Sequence, residues 1–247
     1  MTALLASVRS PDEAAVAFAG GADVLDLKDP SHGALAALPE TVIAAVVAAF
    51  GGRVPISATV GDLAMEPAMV VERVAAIASL GVDFVKIGLR PEGDAAATVA
   101  ALGRTGLPVV AVLFADLAPD LLTPAALARA GFRGVMLDTA GKSAGGLRAH
   151  RSEAELAAFL ARARAAGLFA GLAGSLRGPD VAPLLALAPD LLGFRGALCA
   201  GGRGAALDGA RLAALRAAIP PAALPPTLVP GPDGLAGGAG WSIMAGG

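Results

Sequence analysis

A short apolar run followed by an Ala/Leu-rich amphipathic stretch recurs eight times along the chain, and this recurrence constrains the fold more than any other feature. The strand-like runs are 4–8 (LLASV), 24–28 (VLDLK), 55–61, 84–89 (FVKIGL), 109–116, 134–140, 169–175 and 191–197. The helical stretches are 11–19, 39–50, 66–80, 93–103, 123–130, 152–166, 179–187 and 208–218. Ser10 before Pro11 and Thr123 before Pro124 read as helix N-caps, and Gly20, Gly51, Gly81, Gly131 and Gly167 as helix stops. Eight β-then-α units in 247 residues predict a (β/α)8 barrel, the TIM-barrel architecture. An open, doubly wound sheet is the alternative. The first strand runs into Arg9-Ser10-Pro11, with no Gly-x-Gly-x-x-Gly turn, and this favours the barrel.

No linker interrupts residues 1–219, which read as one catalytic domain. Residues 220–247 hold six Pro and seven Gly, lack periodicity and read as a mobile tail carrying Trp241, the sole tryptophan. The mean hydropathy of +0.68 calls for a membrane check. The longest apolar run, 42–50, is nine residues, against the roughly 20 that a spanning helix needs. With no secretory signal read at the N-terminus, a cytoplasmic protein without a membrane partner is expected. A net charge of −2 argues against nucleic acid as a partner. One cysteine, Cys199, and two histidines, His32 and His150, argue against a metal site. Oligomeric state is not fixed by the sequence, and a homo-oligomer is compatible with it.

Of 19 basic residues, 16 are arginine and only Lys28, Lys86 and Lys142 are lysine. A chain that uses arginine so heavily retains lysine where a guanidinium cannot serve, and the chemical difference is that an amine can lose its proton and attack a carbonyl. Side chains alternate faces along a strand. With Leu25 and Leu27 toward the helices, Asp26 and Lys28 face the barrel axis. The same parity turns Lys86, Asp138, Ser57, Thr59 and Arg195 inward, and Lys142 follows in the loop after strand six. Amines and carboxylates gathered at the strand ends point to Schiff-base chemistry with proton transfer, the imine serving as electron sink without metal or organic cofactor. Gly174-Ser175 after strand seven and Arg195-Gly196 in strand eight are the candidate phosphate site, because loops seven and eight of such barrels hold phosphates on backbone N–H groups. A class I aldolase for a sugar phosphate and a non-catalytic barrel that binds a phosphorylated metabolite are the alternatives.

The blocks AGGADVLDLKDPSHGALAA, SATVGD, GVDFVKIGL, VMLDTAGK, LAGSL and GFRGALC, in this order over about residues 3–218, resemble the (5-formylfuran-3-yl)methyl phosphate synthase family of methanofuran biosynthesis. The blocks around the lysines are the specific ones, and the glycine-rich blocks are shared with many phosphate-binding barrels. The resemblance implies a lyase that condenses two glyceraldehyde 3-phosphate molecules with loss of phosphate and water. It implies Lys28 as the Schiff-base lysine and Lys86 as proton acceptor, with Lys142, Asp26 and Asp138 in the same pocket. The expected course is an imine at Lys28, loss of phosphate, addition of the resulting enamine-type carbon to the aldehyde of a second triose phosphate, and ring closure.

Overall fold

The structure is a computed structural model that describes residues 2–117, 120, 122–141, 145–221, 224 and 228. Eight parallel strands close into a barrel in sequential order. They are β1 (Ala3–Val8), β2 (Val24–Leu27), β3 (Ile56–Thr59), β4 (Phe84–Leu89), β5 (Val109–Phe114), β6 (Gly134–Asp138), β7 (Phe169–Leu172) and β8 (Leu191–Phe194). Closure is made by β1 against β8, with Ala3 opposite Leu191 and Ala6 opposite Phe194. The helices are α1 (Pro11–Ala19), α2 (Glu40–Phe50), α3 (Pro67–Ala78), α4 (Ala95–Gly103), α5 (Pro124–Arg129), α6 (Leu147–His150), α7 (Glu153–Ala165), α8 (Gly178–Ala186) and α9 (Gly209–Ala218). The predicted barrel is therefore the observed one. The short α6 has no counterpart in the sequence reading. Most strands end earlier than their apolar runs: Lys28, Gly174, Ser175, Arg195 and Gly196 lie just beyond the ladder.

Ser10 and Thr123 cap α1 and α5, accepting the N–H of Glu13 and Ala126 at 3.2 Å each. Ser152 and Glu155 form a reciprocal capping box on α7. A cap of this kind is worth about 1 kcal/mol. A second recurring device sits where β2, β4 and β8 begin. Asp23, Asp83 and Asp190 accept the N–H of Leu4, Ile56 and Ala170 on the preceding strand, at 2.7, 2.7 and 2.8 Å. Each donates its own N–H to the carbonyl of that same residue at 2.9 Å. One aspartate thus fixes the register of each strand pair.

Alternate strand residues separate two apolar clusters. Leu25, Leu27, Ile56, Val85, Ile87 and their like pack between sheet and helices. Leu5, Val24, Phe84, Val112, Phe114 and Met136 fill the barrel interior. Two further contributions enter that interior. Leu35, from the loop after β2, is fully buried there. Its Cδ1 and the Phe114 ring occupy the space over Gly88, where an added Cβ would meet both at 2.8 and 2.7 Å. Leu228 is 1 % exposed within the same cluster. Trp241 lies outside the described residues. No helix among the described residues is long and apolar enough to cross a membrane.

Candidate active site

Beside the interior cluster that Leu35 joins, a cavity of about 670 Å³ opens at the strand ends. Its lining includes Ser7, Asp26, Lys28, Lys86 and Asp138 at the strand ends, and Gly174, Ser175, Gly196 and Arg203 in the loops after β7 and β8. The parity of β2, β4 and β6 explains Asp26, Lys28, Lys86 and Asp138, since their alternate neighbours Leu25, Leu27, Val85, Ile87 and Leu137 are spent on the helix layer.

Asp26 is the hub. It is fully buried, and Lys86 Nζ donates to its Oδ1 at 2.9 Å. Ser57 Oγ donates to the same oxygen at 2.7 Å, and Ser7 Oγ donates to Oδ2 at 3.0 Å. Lys28 Nζ stands 4.0 Å from Asp26 Oδ2 and 3.7 Å from Asp138 Oδ2. Burial pushes the Asp26 carboxyl up, but Lys86, Lys28 and Ser57 together hold it below the ordinary carboxylate value. Asp26 is thus a buried anion committed to Lys86, and Lys28 sits between two carboxylates beyond hydrogen-bonding distance of either. Asp138 Oδ1 accepts the N–H of Thr139 at 2.7 Å.

Other predicted residues have different employment. Thr59 faces inward but donates to the carbonyls of Leu27 and Ala36, at 3.3 and 3.0 Å, pinning the loop that carries Leu35. His32 is an exposed partner of Asp29 at 2.8 Å. Lys142 lies outside the described residues. Just ahead of it, Asp116 accepts the N–H groups of Ala140 and Gly141 at 2.8 and 2.7 Å.

Arg195 was expected to bind phosphate. It lines the cavity, yet all five of its N–H groups are donated within the protein. Nε bonds the Arg203 carbonyl at 2.9 Å, and Nη1 bonds the Ser7 carbonyl at 3.1 Å and Glu13 Oε2. Nη2 bonds Glu13 Oε1 at 3.1 Å and the Ala205 carbonyl at 2.8 Å. A buried guanidinium needs a counter-charge, and Glu13 on α1 supplies it. The backbone is better placed for an anion. The N–H groups of Ser175, Leu176, Gly196 and Ala197 have no acceptor among the described residues. Ser175 holds φ +51°, a left-handed conformation that costs an L-residue energy, and Gly174 holds φ +106°. A Cβ on Gly174 would meet Thr139 at 3.1 Å.

Sequence reasoning missed Ser7, Glu13 and Asp116. The parity of β1 exposes Ser7, since Leu4, Ala6 and Val8 all face the helices. Glu13 shares the buried face of α1 with Ala17 one turn on. Nothing local marks Asp116. Among the described residues no group of three or more His, Cys, Asp or Glu is placed to hold a metal ion.

A sequence model of 4-HFC-P synthase matches residues 4–216, a span that contains every strand of the barrel except the first residue of β1. The chain belongs to the 4-HFC-P synthase family. A Methylorubrum extorquens protein provisionally named (5-formylfuran-3-yl)methyl phosphate synthase is 50% identical over 209 residues, covering 83% of this chain and 86% of that one. The (5-formylfuran-3-yl)methyl phosphate synthase of Methanosarcina mazei is 35% identical over 219 residues, covering 83% and 93%. Among solved structures, a 3-hexulose-6-phosphate synthase superposes with a TM-score of 0.59 at 20% identity, over 89% of this chain and 100% of that one. Phosphoribosyl anthranilate isomerase of Thermus thermophilus gives 0.60 at 20%, over 89% and 98%. At such identities the structural likeness establishes the barrel alone. The sequence relatives establish a 4-HFC-P synthase family member, an enzyme.

Proposed function

We propose that this family member condenses two triose phosphates, both derived from glyceraldehyde 3-phosphate, to (5-formylfuran-3-yl)methyl phosphate through an imine on Lys28. The observation that carries the reading is the pair of amines, Lys28 and Lys86, gathered around Asp26 at one cavity. Phosphate binding alone gives no reason to bury such a cluster, because each desolvated ion costs several kcal/mol.

Lys28 attacks the aldehyde C1 of the first triose phosphate and water leaves, giving an imine. The imine acidifies C2–H. Removal of that proton drives the C3–O bond to break, phosphate departs, and an enol remains whose C3 is nucleophilic. Lys86, having released a proton to solvent at the cavity, is the acceptor for C2–H, and Asp26 holds it in place at 2.9 Å. The N–H groups around Ser175 and Gly196 take the phosphate group.

The carbon skeleton of the product corrects the final step expected from the sequence. Addition to the aldehyde carbon of the second triose would place the two substituents at furan positions 2 and 5. A phosphomethyl arm at position 3 requires the new bond to run from C3 of the first unit to C2 of the second. The second unit therefore reacts as the ketone isomer, reached by a proton shift from C2 to C1. Its C1 hydroxyl then closes on C2 of the first unit. Loss of two waters makes the ring aromatic, and hydrolysis of the imine restores Lys28. The balance is two triose phosphates to one furan phosphate, one phosphate and two waters.

Incubation with glyceraldehyde 3-phosphate, read by ultraviolet absorbance and mass spectrometry with NMR assignment of the ring positions, tests the proposal. A 2,4-disubstituted furan aldehyde is expected. A linear sugar phosphate as sole product would mean an aldolase, and no reaction would refute the proposal.

A further inference from the structure

We infer that Glu13, on the outer helix α1, is a positioning residue for the anion cradle made by the loop after β8. This rests on loops seven and eight holding the triose phosphate. Glu13 does not line the cavity. It is nonetheless buried, and its carboxylate oxygens are shared among Arg195, Arg9 and the Leu207 N–H, with Arg9 Nε 3.3 Å from Oε1. Oε1 accepts from Arg195 Nη2 at 3.1 Å and from the Leu207 N–H at 3.3 Å. Oε2 accepts from Arg195 Nη1 and from the Arg9 N–H at 3.0 Å. Burial pushes this carboxyl up, but Arg195 and Arg9 together hold it below the ordinary value, so it is the anion that ties these groups.

The loop from Arg195 to Leu207 contains Gly196, Gly201, Gly202 and Gly204 and, beyond a single 3-10 turn at Gly196–Leu198 and the Cys199–Leu207 bridge, has no regular structure. A glycine-rich segment of this kind loses much conformational entropy when it is fixed. The Glu13–Arg195 pair fixes it at the Arg203 and Ala205 carbonyls, the Leu207 N–H and Arg195 itself. It thereby sets Gly196 and Ala197, whose N–H groups have no acceptor among the described residues, and the base of Arg203. Arg203 in turn reaches across the mouth to the Gly33 carbonyl. Through the Ser7 carbonyl the same pair grips the end of β1, whose Ser7 hydroxyl holds Asp26. The amine cluster retains its own bonds to Asp26, so loss of Glu13 acts on the anion cradle first.

The test compares the wild-type protein with Glu13→Gln and with the double variant Glu13→Gln/Arg195→Gln, which leaves no unpaired buried charge. KM and kcat for glyceraldehyde 3-phosphate are measured, with binding of inorganic phosphate by calorimetry as a readout independent of turnover. Glu13→Gln should raise KM and the phosphate Kd together by tenfold or more, with kcat within about threefold. The double variant should be no worse than Glu13→Gln. If Glu13→Gln fails to fold, the double variant carries the same expectation against wild type. A folded variant with unchanged phosphate Kd, a fall in kcat at constant KM, or a wild-type protein that does not bind phosphate would overturn the inference. Glu13-dependent phosphate binding in a protein that makes no furan would uphold it while refuting the proposed reaction.

Discussion

Lys86 and Asp26 form a buried ion pair across two strands: Nζ on β4 donates to Oδ1 on β2 at 2.9 Å, with the carboxylate fully out of solvent. The β2–β3 and β3–β4 registers create it, setting Asp26 beside Ser57 and Thr59 beside Lys86. Lys86 is 4 % exposed and has no other carboxylate within ion-pair distance among the described residues, so its charge depends on Asp26.

Asp26→Asn should therefore remove both activity and stability. It leaves Lys86 buried without its anion, at a cost of about 3–5 kcal/mol. Urea unfolding should show that loss, and furan formation should fall by orders of magnitude. A variant with wild-type stability would mean that the pair is not energetically coupled.

Lys28 is expected to form the covalent intermediate. Borohydride added with triose phosphate should fix substrate mass on the peptide containing Lys28, and Lys28→Arg should abolish labelling and turnover, since a guanidinium does not form the imine. Labelling that persists in Lys28→Arg would identify a different amine.

Lys86→Arg should separate imine formation from the later proton transfers. The variant keeps a cation for Asp26 but loses an amine that can exchange protons near neutrality. Borohydride trapping at Lys28 should survive while furan release falls at least a hundredfold, the lower range for loss of a general base. Full turnover in Lys86→Arg would remove Lys86 from proton transfer.

Acid should destabilise the barrel through Asp26 and Glu13. Both carboxyls are held below their ordinary values of 3.8 and 4.5. Their stabilising contribution is complete above those values and is lost as pH falls through the lower, folded ones. Asp83 has the opposite sign: burial pushes it above 3.8, so its contribution is complete below that value and is lost as pH rises through the folded one. Thermal melting from pH 6 to pH 3 should show a falling midpoint, with a smaller fall in Glu13→Gln/Arg195→Gln. An equal fall in both would place the acid sensitivity elsewhere.

Gly88→Ala should disturb the packing of Leu35 against Phe114. Its Cβ would meet Phe114 at 2.7 Å and Leu35 at 2.8 Å, and overpacking of this order costs about 1–3 kcal/mol. Chemical denaturation measures it, and a neutral result would mean that Leu35 is free to move aside.

The eight-fold alternation of apolar runs and amphipathic stretches was sufficient for the barrel, because strand and helix periods are local properties and the number of units limits the closed topology. Parity within a strand is local as well, so the inward direction of Asp26, Lys28 and Lys86 was legible from their apolar neighbours. The use of each inward side chain was not. Arg195, Thr59 and Ser57 all read as inward polar groups. Only packing between distant elements decides that Arg195 is consumed by Glu13 on α1, that Thr59 holds the loop carrying Leu35, and that Ser57 serves Asp26. A buried polar group must find partners, and which partners come within hydrogen-bonding distance is settled by register and loop closure across residues 23 to 182 positions apart. The sequence determined which chemistry the strand ends bring together; the tertiary structure decided which of those groups remain available for a substrate.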